Sequence, residues 1–379
     1  MLWLSILVRC LDSQLDDPAK GQLRELLAAP SGPDALYTAG KASAAIIEQV
    51  LDELDSKLRE KGAPLFVTYD ELDALFFTEW ATMMRVIQAL MGMWAGYYRR
   101  WQFIRPKFFV RTDLFTESAQ LSTSDIAKMS ARRVDLHWSS RNLYGALFHH
   151  IMSRDQLLED YFDAALPTKK FEGLGELPQG VKESDFEPAV KRLCGAYMGA
   201  SSNKGHTLTW LIRAVRDGAN HASPRNLVRL IEHAAIIEQE RPRVGTHSQL
   251  LHHVSLRKAL TRVSEEHVRE SMSSEHPWLY GLRERLAASR EVPWERGELE
   301  QCLGEKWEAP WSANSEGGTR PPASTEAELL DHLLQLGIFR ERKVVDRSRR
   351  RDRPYLGIDV PDLYLEGLRL IRRGGVARS

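Results

Sequence analysis

The segment from Pro64 to Asp73, PLFVTYDELD, constrains the fold of this chain more than any other. An apolar, β-prone run ends abruptly in two adjacent carboxylates, Asp70 and Glu71. A run of this composition is typical of a parallel strand that is buried on both faces between helices. The sequence therefore predicts a sheet strand that presents two acids at its carboxyl end.

Two adjacent carboxylates in this position have one chemical use and one structural alternative. Asp70 can hold Mg²⁺ through water, and Glu71 can polarise an attacking water molecule. The alternative is a buried strand followed by a helix, because the helix dipole favours acids in a first turn. The segment alone leaves both interpretations open.

The pattern around this strand predicts a parallel α/β arrangement. Residues 1–29 are expected to form one helix, and residues 41–59 and 79–100 to form two further amphipathic helices. The apolar stripe from Met83 to Trp94 indicates core packing. A second short strand is predicted at Lys107–Asp113, and helix, strand, helix, strand with short connections is typical of a parallel sheet.

The rest of the chain is predicted to be mainly helical. The pattern is almost wholly helical from residue 125 to about 285, apart from a Gly/Pro-rich loop near 171–180. Ser324 to Gly337 predicts a capped helix, followed by strands at 343–345 and 355–358 in the manner of a winged helix. The predicted organisation is a partial ATPase-type core at 1–124, a helical lid at 125–306, a linker at 307–323 and a winged-helix domain at 324–379.

Two further groups of residues could contact a nucleotide. Arg111 and Thr112 are placed at the end of the second predicted strand, where such groups can contact phosphate or the attacking water. Arg225 follows Ser223, a predicted N-cap, and Pro224, a predicted first helical residue, so that it could project from a helix start. The alternatives are a structural ion pair at 111–113 and a solvated arginine at 225.

Together these segments resemble bacterial P-loop ATPases of the AAA+/STAND type whose domain ends in a winged helix. The resemblance rests on FVTYDELD at 66–73, KFFVRTDLF at 107–115, SPRNL at 223–227 and the helix and wing at 329–370, and it covers roughly residues 60–370. It implies a Walker B strand, with Asp70 for Mg²⁺ and Glu71 for water activation. It also implies Arg111 or Thr112 as sensor 1, Arg225 as sensor 2, and ATP and Mg²⁺ as cofactors.

The chain departs from this family at the phosphate-binding loop. No segment matches G-x-x-x-x-G-K-[ST], whose backbone N–H groups and lysine bind the phosphates. The nearest approach, Gly40-Lys41, has Ala35 and Ala42 where the first glycine and the hydroxyl should stand, which indicates a chance dipeptide. We therefore expect the loop to be encoded upstream of Met1 in the same frame; a degenerate ATPase is the alternative.

The C-terminal hairpin is the most basic segment of the chain. Between residues 340 and 353 eight basic residues stand against three acidic ones. Such a loop is suited to phosphate-backbone contact, and the residues expected to make it are Arg347, Arg349, Arg350, Arg351 and Arg353. A solubilising hairpin and an autoinhibitory surface are the alternatives.

The amino-acid composition says little about the partners of this protein or its cellular compartment. Lys and Arg together number 52, as do Asp and Glu, so no overall charge indicates a nucleic-acid or membrane partner. Three widely spaced cysteines favour a reducing compartment, and no segment is long enough to span a bilayer, so a cytoplasmic protein without a membrane partner is expected.

The predicted function is a nucleotide-controlled ATPase-type switch that acts as a homo-oligomer or with a protein partner. The alternative is a non-enzymatic nucleic-acid-binding or interaction protein.

Overall fold

A computed structural model describes residues 1–72, 80–111, 115, 132–173, 175–180, 182–241, 249–305, 307–311, 320–344 and 354–373. The chain divides into two compact units, Met1–Asp135 and Leu136–Ser379. The described residues form a helix-rich mixed structure with small sheets, which agrees with the predicted α/β class at this coarse level. The predicted domain boundaries at residues 124, 306 and 323 stay predictions.

The first unit combines helices with one small parallel sheet. Its helices are α1 (Leu2–Cys10), α2 (Asp17–Gln22), α3 (Arg24–Ala28), α4 (Pro33–Ala42), α5 (Ala44–Glu60) and α6 (Trp80–Tyr97), and its strands are β1 (Leu65–Tyr69) and β2 (Ile104–Phe108). The single helix expected over residues 1–29 is wrong. The chain instead breaks after Cys10, and Asp16 starts a new helix by accepting a hydrogen bond from the Ala19 N–H.

Strands β1 and β2 pair in parallel, from Leu65 opposite Ile104 to Tyr69 opposite Phe108. Helix α6 connects them, so the predicted strand–helix–strand order is confirmed. The expectation that β1 is buried on both faces is wrong. Its side chains alternate, with Tyr69 buried on one face and Phe66 half-exposed on the other. The stripe of α6 from Met83 to Trp94 is buried as predicted.

The second strand begins earlier than the sequence indicates. It spans Ile104–Phe108 and not Lys107–Asp113, because a distant carboxylate fixes its start. Asp55 of α5 is buried and accepts hydrogen bonds from the backbone N–H groups of Phe103, at 2.6 Å, and Ile104, at 2.9 Å. These bonds satisfy donors at the strand entry and place Ile104 in the core opposite Leu65.

The second unit is mostly helical and also contains several short strands. Its helices are α7 (Ser140–Met152), α8 (Gln156–Asp163), α9 (Glu187–Cys194), α10 (Thr207–Ala214), α11 (Pro224–Gln239), α12 (His253–Glu270), α13 (Leu279–Leu286), α14 (Arg296–Gly304), α15 (Glu326–Gln335) and α16 (Asp362–Leu365). Its strands are β3 (Thr168–Phe171), β4 (Gly175–Pro178), β5 (Glu291–Val292), β6 (Arg340–Val344), β7 (Tyr355–Asp359) and β8 (Ile371–Arg372).

Two sheets of this unit bear on the sequence predictions. The Gly/Pro-rich loop expected near 171–180 is in part an antiparallel hairpin, β3–β4, whose turn includes Gly173 at a φ of +76°. The strands expected at 343–345 and 355–358 are present as β6 and β7, paired antiparallel. The glycines and prolines of 171–180 indicate a loop, but strand pairing between 168 and 178 overrides this local preference.

The C-terminal strands share one core with the helices of the second unit. Leu333, Phe339 and Ile358 are buried in the same cluster as the residues of α7 and α11. The Gly218 N–H donates to the Gly337 carbonyl at 2.5 Å, and a Cβ at Gly218 would overlap the Phe339 carbonyl oxygen. Glycine is required at 218 because two backbone segments meet there. Within the described part of the chain no helix is both long and apolar enough to traverse a bilayer.

Candidate functional site

The two strands of the first unit end side by side at one edge of their sheet. The Phe109 N–H donates to the Tyr69 carbonyl at 2.8 Å, which keeps the chains together one residue beyond the paired strands. Asp70 and Glu71 leave β1 at this edge, and residues 109–111 leave β2 there. The carboxyl edge of a parallel sheet is where open α/β folds bind ligands. The residues that follow β1 and β2 therefore leave the sheet at one edge, and the roles assigned to Asp70 and Arg111 stay predictions.

Asp70 and Glu71 are both exposed to solvent. The Glu71 N–H donates to Asp70 Oδ1 at 2.9 Å, which fixes the Asp70 carboxylate close to the backbone. Glu71 itself has a φ of +54°, in the left-handed region that side chains rarely adopt. Glu71 itself is therefore not in a right-handed helical conformation, whereas Leu72, the next residue, lies in a 3-10 helical turn. The alternative of an acidic helical turn also involves residues 73–79, which lie outside the described residues.

A buried aromatic group lies directly before the two acids. The Trp94 Nε1–H of α6 donates to the Tyr69 hydroxyl at 3.0 Å, and the Tyr69 ring stacks on Phe108 with centroids 5.3 Å apart. Burial raises the pKa of Tyr69 to about 12. These contacts pack β1, β2 and α6 against one another directly before the two exposed acids. Sequence reasoning missed this role of Tyr69; the only signal was a tyrosine at the last apolar position of the strand.

The structure describes two of the three residues that are predicted to sense phosphate. Arg111 lies half-buried, three residues beyond the end of β2, and Thr112 lies outside the described residues. Arg225 belongs to the second unit, where it is exposed in the first turn of α11. Ser223 Oγ accepts from the Arg225 N–H at 3.2 Å, and Pro224 opens the helix, so the predicted cap is confirmed.

Gly40 and Lys41 do not form a phosphate-binding loop. They lie in the last turn of α4 and not at a helix start, and Gly40 is buried. A Cβ at Gly40 would overlap the Ser5 side chain of α1, so this glycine serves close helix packing. The interpretation of Gly40-Lys41 as a chance dipeptide agrees with this arrangement.

The basic hairpin is described only at its strands. Arg347, Arg349, Arg350, Arg351 and Arg353 lie outside the described residues. Of the remaining basic residues, Arg340 and Arg342 form ion pairs with Asp359, whose side chain is fully buried. Arg372 pairs with the same carboxylate at 2.6 Å. The sequence missed this cluster, because a buried acid in β7 is not distinguishable from the surface acids around it.

No group of three or more His, Cys, Asp or Glu side chains in the described ranges could hold a metal ion. Asp70 and Glu71 form a pair of carboxylates at a sheet edge, with oxygen ligands of the kind that Mg²⁺ binds together with water.

Comparisons of this chain with family models, curated proteins and solved structures found no match.

Proposed function

We propose that the first unit carries the metal- and water-activating edge of an ATPase-type site. The observation that carries this proposal is the pair Asp70–Glu71 at the carboxyl edge of two parallel strands, with Glu71 held at a φ of +54°. Unfavourable backbone conformations persist where surrounding structure enforces them, and they cluster at functional sites. Tyr69, two residues before Glu71, is buried and accepts a hydrogen bond from Trp94.

Each residue has a distinct role in this proposal. Asp70 would hold Mg²⁺ through water, and Glu71 would polarise the water that attacks the terminal phosphate. Arg111 or Thr112 would contact that phosphate, whereas the sensor 2 role of Arg225 stays a prediction from the resemblance. Mg²⁺ held there would supply positive charge against the charge that develops on the phosphates. The sequence offers no recognisable cradle for the triphosphate, so we expect this chain to bind ATP weakly and to hydrolyse little.

Mn²⁺ is a suitable probe of this site, because its paramagnetism reports binding independently of turnover. We expect weak formation of a Mn²⁺·ATP complex on the full chain, measured by electron paramagnetic resonance. Asp70→Asn should weaken it roughly tenfold, as expected for a ligand acting through water, while Glu71→Gln leaves it nearly unchanged. Asp34→Asn, which alters an exposed acid of α4, is the matched control. Equal binding by wild type, Asp70→Asn and Asp34→Asn would contradict the assignment.

A second candidate function is nucleic-acid binding by the C-terminal region without catalysis. It is favoured by the order of α15, β6 and β7, a helix followed by an antiparallel hairpin with an arginine-rich connection. Replacing Arg349, Arg350 and Arg351 with Ala should lower affinity similarly for all duplex sequences. It should also reduce the log–log salt slope by about 0.9 for each phosphate that the variant no longer neutralises. Duplex binding that the triple variant leaves unchanged would exclude the hairpin as the binding surface.

A further inference from the structure

The β1–β2 sheet has one face in the core and one face in solvent. The inner face is formed by Leu65, Val67 and Tyr69 of β1, with Ile104 and Phe108 of β2, all packed in or against the buried cluster. The opposite face, which we call the outer face, consists of Phe66 and Thr68 of β1, Arg105 and Lys107 of β2, and Phe109, which directly follows β2.

The composition of the outer face differs from that of a face covered by helices. Covered faces of parallel sheets carry apolar side chains, whereas positions 105, 107 and 109 here are Arg, Lys and Phe. Phe66 is 50% exposed and Phe109 is 46% exposed. No acidic residue occurs in 65–69 or 104–111. Four of its five positions are therefore basic or aromatic, and Thr68 is the fifth.

The aromatic and basic groups of this region lie against one another. The Lys107 ammonium lies 4.2 Å from the centroid of the Phe66 ring. Next to the start of β2, the Tyr98 ring has the Arg105 guanidinium at 5.2 Å and the Arg132 guanidinium at 4.8 Å. Cations over rings at these distances are attracted by the ring quadrupole, and they remain able to contact an anion.

We infer that the outer face binds single-stranded nucleic acid. Aromatic rings on a sheet stack on unpaired bases, and interleaved Lys and Arg contact the phosphates between them. From Arg105 to Phe109 the strand extends about 13 Å, which suits roughly two stacked bases. Asp70 and Glu71 at the carboxyl edge would repel phosphates. The nucleic-acid strand is thus expected to run across the face toward Arg105, Tyr98 and Arg132. This inference does not rest on the proposed ATPase chemistry.

Duplex DNA does not fit this surface equally well. Stacking on Phe66 and Phe109 needs bases that are free of a partner strand, and a paired duplex presents only its phosphates to a flat face. A preference for single strands therefore separates the outer face from a basic hairpin, which contacts phosphates of either form.

The test is fluorescence anisotropy of a labelled oligothymidylate with the full chain at low salt. Phe66→Leu and Phe109→Leu keep apolar bulk at half-exposed positions but remove the stacking ring, and each should weaken binding about tenfold. Lys107→Ala should reduce the log–log salt slope by about 0.7. Tyr37→Leu, at an exposed aromatic residue of α4, and Lys41→Ala, in the same helix, are the matched controls.

Three results would overturn the inference. The first is equal affinity of Phe66→Leu, Phe109→Leu and Tyr37→Leu for the oligonucleotide. The second is loss of binding only when Arg349, Arg350 and Arg351 are replaced together. The third is a change of sedimentation coefficient from dimer to monomer in the two Phe variants without a change in affinity, which would assign the face to self-association. Circular dichroism melting of each variant verifies that it folds, so that a loss of affinity reports on the face.

Discussion

Trp94 donates its buried indole N–H to the hydroxyl of Tyr69 at 3.0 Å. The bond joins α6 to the last residue of β1, immediately before Asp70. It pairs two polar groups within a cluster of apolar and aromatic side chains, where Trp101 packs edge-on against Trp94. The position of the exposed acids therefore depends on a contact that neither strand nor helix makes alone.

Tyr69→Phe should destabilise the first unit measurably. The substitution leaves the Trp94 N–H buried without its acceptor, which costs about 1–3 kcal/mol of unfolding free energy. Urea unfolding followed by tryptophan fluorescence measures the change. Tyr37→Phe, at an exposed tyrosine, should have almost no effect. A Tyr69→Phe protein as stable as wild type would show that the hydrogen bond contributes nothing.

Glu71→Gly should stabilise the protein while it removes the proposed catalytic carboxylate. Glycine adopts a φ of +54° without steric penalty, so we expect a gain of about 0.5–1 kcal/mol. Glu53→Gly, in the middle of α5, should instead lose about 1 kcal/mol. Chemical unfolding of Glu71→Gly and Glu53→Gly measures both changes in the free energy of unfolding. A loss of stability in Glu71→Gly would mean that the glutamate side chain has a structural role at this turn.

Asp359→Asn should be among the most destabilising changes in the second unit. It removes the fully buried charge that faces Arg340, Arg342 and Arg372, and breaking such a cluster costs roughly 3–5 kcal/mol. Asp331→Asn breaks an ion pair with Arg296 at an exposed position and should cost less than about 1 kcal/mol. Thermal melting distinguishes the two. Equal melting temperatures for both variants would contradict a structural role for the buried carboxylate.

His267 should make stability depend on pH below neutrality. Burial lowers the pKa of His267 to about 4 from 6.5, against the opposing charge of Glu270 and with the added effect of Arg229 and Arg225. Between these values the unfolded chain binds a proton that the folded chain does not. Stability should therefore be complete above about pH 6.5 and fall by about 1.4 kcal/mol per pH unit down to pH 4.

Replacement of this histidine should remove that contribution. Urea unfolding from pH 4 to 7 should give a shallower slope for His267→Gln than for wild type. His206→Gln, which replaces an exposed histidine, is the matched control. Identical slopes for wild type and His267→Gln would show that His267 titrates alike in both states.

Two helix starts of the second unit could be predicted from sequence, because their hydrogen bonds close within a few residues. Ser223 caps α11, and Thr325 caps α15 by accepting from the Glu328 N–H. The apolar stripe of α6 and the antiparallel strands β6 and β7 follow from periodicity in the same local way. The acids at the end of β1 were also visible, since the apolar run before them ends at Tyr69.

Tertiary structure decided the features whose partners are distant in the chain. Asp55 fixes the start of β2 from forty-eight residues away, and three arginines from two other strands enclose Asp359. Whether one or both faces of β1 are covered depends on what packs against them, and the same apolar sequence is compatible with both arrangements. Periodicity gives the face on which a side chain lies, but burial and pairing depend on free energies that only the assembled core sets.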